Sequence, residues 1–144
     1  MQSILGDEGL PPVMLAATGG GRNTWLVGDE REVIAVDPVA DPDEVLDVVD
    51  GRRVVAVVCT TDPHGNAAVA TLGERTGAPV WATPHVGQEF TVGAVTLQVM
   101  QPPNGHRGVW LYSPTLGCVF TGDAPTDGGL GLPPETIIYP GHGG

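Results

Sequence analysis

Basic side chains are scarce in this chain of 144 residues, with 6 Lys and Arg against 17 Asp and Glu and a formal net charge of −11. Such a surface repels phosphate backbones and anionic lipids, so we expect neither a nucleic acid nor a membrane as a partner. No apolar run approaches the ~20 residues of a membrane-spanning helix. Residues 1–11 contain no basic residue, which is not typical of a secretory signal, so we expect a cytoplasmic protein.

Cysteine is also rare. Cys59 and Cys118 lie far apart, each within an apolar run, so the spacing of a CxxC metal site is absent and buried free thiols are favoured over a single disulfide. A Gly-x-Ser-x-Gly nucleophile motif is missing. The run Gly19-Gly20-Gly21 precedes a strand pattern and does not join a strand to a helix, so it predicts a flexible turn and not a phosphate-binding loop.

The residues that are present indicate one globular domain over positions 1–144. Apolar residues make up 41% and charged residues 16%, which a packed core requires. The 22 Gly and 14 Pro predict short elements with many turns, which argues against a helical bundle.

The first half of the chain predicts a β-hairpin and two helices. Thr24–Gly28 and Glu32–Asp37 are the hairpin strands. A helix begins at Asp41, a good N-cap followed by proline, and a second begins at Asn66 and ends at Gly77.

Between these helices, Val54–Cys59 is a continuous apolar run, typical of a strand that is buried on both faces. With the second helix and Val80–Ala82 it predicts a βαβ unit. Short strands with Gly or Pro turns then follow at Glu89–Val92, Val95–Met100, Gly108–Tyr112, Gly117–Thr121 and Thr136–Tyr139. This order predicts an α/β sandwich.

Several motifs in order carry a family resemblance: Asn23–Gly28 with Val33–Pro38, Val57–Thr60, Glu74–Val80, Val109–Tyr112, Phe120–Asp123 and Tyr139–Gly143. Over residues 13–143 the chain resembles the metallo-β-lactamase-fold hydrolases, especially their glyoxalase II-like branch. The resemblance implies an αββα sandwich. It also implies truncation, because the segment from Asp123 to Leu132 is much shorter than the helix-bearing segment of the family.

The chain departs from the family pattern at the metal ligands. After the buried strand the family has His-x-His-x-Asp-His, and this chain has Thr61-Asp62-Pro63-His64-Gly65-Asn66. On this register His64 replaces the last His of the loop, Asp62 lies near its Asp, and the two leading His are absent. Later, Asn104 takes a His ligand position, and His106, two residues on, is a substitute.

Two family ligands are retained: Asp123 at the bridging carboxylate and His142 at the final His. The resemblance therefore implies a lost first metal site and a second site of His64, Asp123 and His142, with His106 as a further candidate. Two imidazoles and a carboxylate with an open position suit one zinc ion, with iron less favoured and an empty site also open. Asp62, His64 and Asp123 are the implied catalytic residues of a mononuclear hydrolase of small esters or thioesters.

Other interpretations stay open at this point. His64, His85, His106 and His142 are also explained as solvated surface or tail residues, and Asp123 as a turn residue. The missing ligands favour a catalytically inactive binding or structural relative, or a metal-independent cyclase or lyase that reuses the pocket. We expect a small-molecule substrate, and the oligomeric state is open, with a dimer among the alternatives.

Overall fold

The computed structural model describes residues 11–19, 22–63, 66–102, 108–122 and 132–141. Its strands and helices follow one another as β1 (Val13–Gly19), β2 (Arg22–Gly28), β3 (Glu32–Val36), α1 (Pro42–Val49), β4 (Arg53–Val58), α2 (Ala67–Thr76), β5 (Val80–Trp81), β6 (Glu89–Val92), β7 (Val95–Met100), β8 (Trp110–Ser113), β9 (Cys118–Gly122) and β10 (Ile137–Pro140).

These strands form two five-stranded mixed sheets. The first has the order β1-β2-β3-β4-β5, and the second has the order β10-β9-β8-β7-β6. In the first sheet β3, β4 and β5 run parallel, and α1 and α2 are the crossovers between them. In the second sheet β10 returns parallel to β9, while the other pairs are antiparallel. The predicted α/β sandwich is confirmed.

Apolar residues pack in two layers on either side of the first sheet. Val57 faces the helices and lies in one cluster with Val45 of α1 and Leu72 of α2. Val58, the next residue, faces the second sheet and packs in a cluster with Phe120. Because β4 is covered on both faces, its sequence shows no alternation, as predicted.

Both predicted helix caps are present. The Asp41 side chain accepts a hydrogen bond from the backbone N–H of Asp43. The Asn66 side chain accepts from the N–H groups of Ala68 and Val69, and Gly77 ends α2 in the left-handed conformation. Neither α1 nor α2, the helices of the described residues, is long and apolar enough to cross a membrane.

The sequence pattern does not predict strand β1. Val13–Gly19 pairs antiparallel with β2 and has a register shift between Leu15 and Ala17. Its small residues and its bulge obscure the alternation that marks a strand, so the pattern did not predict it.

Candidate functional site

Asp37 fixes the loop that follows β4. Its Oδ1 accepts a hydrogen bond from the Thr60 backbone N–H at 2.7 Å, and its Oδ2 accepts from the Thr60 hydroxyl at 2.5 Å. Asp37 itself is buried and adopts a φ of 53°, a left-handed conformation that Asp tolerates better than most residues. The bond from its N–H to the Val58 carbonyl oxygen further joins the end of β3 to β4.

The sequence pattern predicts Asp37 only as the last residue of a strand. In the sequence, Asp37 stands between a buried strand and a proline. This position alone does not identify its hydrogen-bond partner. Thr60 lies 23 residues away in sequence, so parallel pairing of β3 with β4 has to form before the two residues meet.

Two glycines from later segments pack against Thr60, and a third packs against one of them. A Cβ at Gly108 would overlap the Thr60 carbonyl oxygen, and a Cβ at Gly122 would overlap the Thr60 hydroxyl. A Cβ at Gly141 would lie 2.7 Å from the Gly122 Cα, so here too only glycine fits. Hydrogen bonds from Val109 N–H to the Thr60 carbonyl at 2.7 Å and from Gly141 N–H to the Gly122 carbonyl at 3.1 Å close the junction. We call Thr60, Gly108, Gly122 and Gly141 the glycine junction.

Strand β2 anchors the end of β10 at this junction. The Asn23 N–H donates to the Gly141 carbonyl oxygen at 2.8 Å. The Asn23 side-chain amide and the Trp25 indole N–H both donate to the Pro140 carbonyl oxygen, at 3.1 Å and 2.9 Å. The Trp25 ring also packs on Tyr139, with ring centroids 4.8 Å apart. The end of the described chain is therefore tied to both sheets.

All four predicted metal ligands fall outside the described residues: His64, His106, Asp123 and His142. Their role as a shared site therefore stays a prediction. Among residues 11–19, 22–63, 66–102, 108–122 and 132–141, no three His, Cys, Asp or Glu side chains cluster closely enough to hold a metal ion.

Asp62 is the predicted site residue that the structure describes. Its side chain is exposed and borders two cavities. The smaller cavity, about 240 Å³, lies over the loop after β4 and is lined by Cys59, Thr60, Asp62, Ala82, Thr83, Pro84, Gly108 and Val109. The larger one, about 550 Å³, lies between α2 and β5. His85, which we interpreted as a surface residue, is exposed.

Cys59 borders the smaller cavity but is chemically inert there. Burial raises the pKa of its thiol to about 12, and the charges of Asp37 and Asp62 add to the shift. Burial likewise raises the pKa of Cys118 to about 11. Both are free thiols, as predicted, and both keep their protons at neutral pH, so neither is an activated nucleophile.

No family model and no curated protein matches the sequence. Solved structures, however, match its fold. The chain is similar to BLEG-1 B3 metallo-β-lactamase, with a TM-score of 0.72, 18% identity and 92% of each chain covered. It is similar to TTHA1623 in a di-iron-bound form, with a TM-score of 0.70, 24% identity, and 91% of this chain and 92% of that one covered.

A metallo-β-lactamase from Staphylococcus aureus matches with a TM-score of 0.69 and 16% identity, over 91% of this chain and 55% of that one. The chain therefore has the metallo-β-lactamase fold. At these identities the likeness concerns the fold and leaves substrate and activity open.

Proposed function

We propose that this protein is a hydrolase of small esters or thioesters that uses one bound metal ion, zinc in preference to iron. The observation that carries the proposal is the glycine junction. Gly122 directly precedes Asp123, Gly141 directly precedes His142, and the two glycines meet beside Thr60, in the loop that leads to His64. Three segments that are remote in sequence thus converge at one rim of the sandwich.

The donor set fits one metal ion. His64, Asp123 and His142 would provide two imidazoles and a carboxylate and leave a position open for water, as catalytic zinc sites do. His106, close to Gly108 in sequence, is the further candidate. TTHA1623, which has a similar fold and was solved in a di-iron-bound form, supports metal binding by a chain of this fold.

The same residues do not fit the two-metal site of the family. Thr61 and Pro63 stand where the family loop carries ligands, and neither offers an imidazole or a carboxylate. We therefore propose a mononuclear centre. The glyoxalase II-like branch and the cytoplasmic location remain predictions from the sequence.

The described residues suggest what the chain itself contributes. A metal bound here would lower the pKa of its water and polarise the scissile carbonyl. Asp37 and Thr60 hold the loop in one conformation, which keeps the reacting groups in register. Asp62 is exposed and lines both cavities, and in this proposal it would accept a proton from a group that enters from solvent.

Metal analysis of protein purified without added metal tests the proposal. We expect about one equivalent of metal in the parent and a clear loss in Asp123→Ala and His142→Ala. His85→Ala and Asp47→Ala are the matched controls, since both side chains are exposed and line neither cavity. They should keep the metal.

A folded parent without metal would refute the mononuclear centre. The inactive relative and the metal-independent cyclase or lyase would then be the better hypotheses. Hydrolysis of a thioester panel that persists in chelator would likewise contradict a metal-dependent reaction.

A further inference from the structure

An open groove of about 550 Å³ runs between α2 and β5. One wall is a single face of α2, where Asn66, Ala70 and Gly73 follow each other at helical spacing. The other wall contains Val80 and Ala82. A volume of this size is typical of sites for small organic molecules. We call this cavity the α2 groove.

The lining of the α2 groove includes buried apolar residues. Val69 and Ala78 are buried in its lining, and a Cβ at Gly73 would lie 2.5 Å from a methyl group of Val80. Gly73 thus allows close approach of the helix to the strand. Val80 is 41% exposed because β5 pairs only with β4 and leaves its other edge unpaired within the described sheet. A ligand in the groove would cover this valine.

The α2 groove is adjacent to the smaller cavity at the glycine junction. Asp62 and Ala82 line both spaces. A molecule whose apolar part lies along α2 would therefore extend its other end towards Thr60 and Gly108. That is the rim at which we propose the reaction.

The charge of the α2 groove limits which small molecules it can bind. The charged residues that line the α2 groove in the described part of the chain are Asp62 and Glu74, and both are acidic. The chain as a whole carries a formal charge of −11. This field attracts a cation and repels a carboxylate or phosphate.

We propose that the α2 groove binds the apolar group of a positively charged substrate, an ester or thioester that also bears an ammonium group. This inference rests on the proposed function, because it assigns the substrate class of that site. Its apolar part packs between Ala70 and Val80, and its cationic group pairs with Glu74 or Asp62.

Calorimetric titration with octylammonium and octanoate tests the proposal on the protein as purified. The two probes share chain length and lack an ester, so binding does not depend on turnover. At pH 7 the amine is charged, as the lysine ammonium is with its pKa of about 10.4. We expect octylammonium to bind and octanoate to bind at least about tenfold more weakly, because like charges repel in the groove.

Two pairs of variants locate the binding. Ala70→Leu fills the α2 groove, whereas Ala67→Leu adds the same side chain at an exposed position of α2 outside the lining. We expect about a tenfold loss of octylammonium affinity in the first and none in the second, since overfilling a cavity excludes its ligand. Glu74→Gln should weaken binding about threefold, as expected for an exposed ion pair. The matched exposed change Glu44→Gln should have no effect.

The outcomes distinguish the proposal of ligand binding in the α2 groove from the proposal of metal-dependent hydrolysis. Selective octylammonium binding that Ala70→Leu abolishes supports the groove, even in a protein that proves to lack metal and hydrolysis. Equal binding of both probes, or equal loss in Ala67→Leu and Ala70→Leu, overturns it. So does a metal-loaded, hydrolytically active protein that binds no octylammonium.

Discussion

Thr60 donates two hydrogen bonds to the two carboxylate oxygens of Asp37, one from its backbone N–H at 2.7 Å and one from its hydroxyl at 2.5 Å. Both residues are buried, so neither bond is exchanged for water at low cost. The pair joins the ends of β3 and β4 and determines where the loop towards His64 begins. Its contribution can be measured directly.

Thr60→Val keeps the side-chain volume and removes the hydroxyl donor. We expect a loss of about 1.5–3 kcal/mol in the free energy of unfolding, since bonds to charged groups are the strong ones. Thr121→Val is the matched control, because the Thr121 hydroxyl is buried and has no hydrogen-bond partner among the described residues. That change should be neutral or stabilising. Urea denaturation of both variants measures the difference, and equal effects would contradict this role of the Asp37 bond.

Gly122→Ala tests the glycine junction. Gly122 has a φ of 57°, and a Cβ there would overlap the Thr60 side chain. We expect a loss of about 2–5 kcal/mol in the free energy of unfolding, from the left-handed backbone and the clash together.

Gly117→Ala is the control for the free-energy cost of the left-handed backbone conformation alone. Gly117 has a φ of 66°, but no atom within 4 Å of its added Cβ. It should lose only about 1–2 kcal/mol of unfolding free energy. Denaturant titrations that give the two variants the same stability would argue against close packing at the junction.

Alkaline pH should destabilise the protein through its buried thiols. The pKa of Cys59 rises from 9.0 to about 12 on folding, so between these values the unfolded chain has lost a proton that the folded chain keeps. The contribution of the protonated Cys59 thiol to the free energy of unfolding is fully present below pH 9. It declines by about 1.4 kcal/mol per pH unit as the pH rises towards 12.

Comparison with Cys59→Ala isolates this contribution, because other groups that titrate in the same range remain in both proteins. The variant should lose less stability between pH 8.5 and 10.5 than the parent in urea denaturation, by roughly 1–2 kcal/mol. Identical pH profiles would show that the folded thiol ionises like an unfolded one.

Metal removal should lower the thermal stability of the parent. A ligand that binds the native state adds about 2.7 kcal/mol to its stability at a hundredfold excess over Kd, so EDTA should lower the Tm by several degrees. Asp123→Ala, with a proposed ligand removed, should melt at the same temperature with and without EDTA. An unchanged parent Tm would contradict the metal-centre proposal.

Local pattern was sufficient to predict α1, α2 and β4. Asp41 and Asn66 cap their helices as their side-chain chemistry requires, and Gly77 ends α2 because only glycine adopts a left-handed conformation cheaply. The absence of alternation in Val54–Cys59 reflects burial on two faces. These features depend on residues that are a few positions apart, so the sequence alone is sufficient to predict them.

The contacts at the rim depend on distant partners. Nothing near Gly122 or Gly141 in sequence indicates that each lies against another backbone, and nothing near Asp37 identifies Thr60. The Asp37–Thr60 pair requires β3 to lie beside β4, and the glycine contacts require the two sheets to stack and β10 to lie beside β9. The α2 groove likewise depends on how far α2 stands from β5. Short-range patterns thus predicted most of the elements and, together with the family resemblance, the fold class. Packing between segments that are distant in sequence created the junction and the groove, because close contact is a property of assembled surfaces.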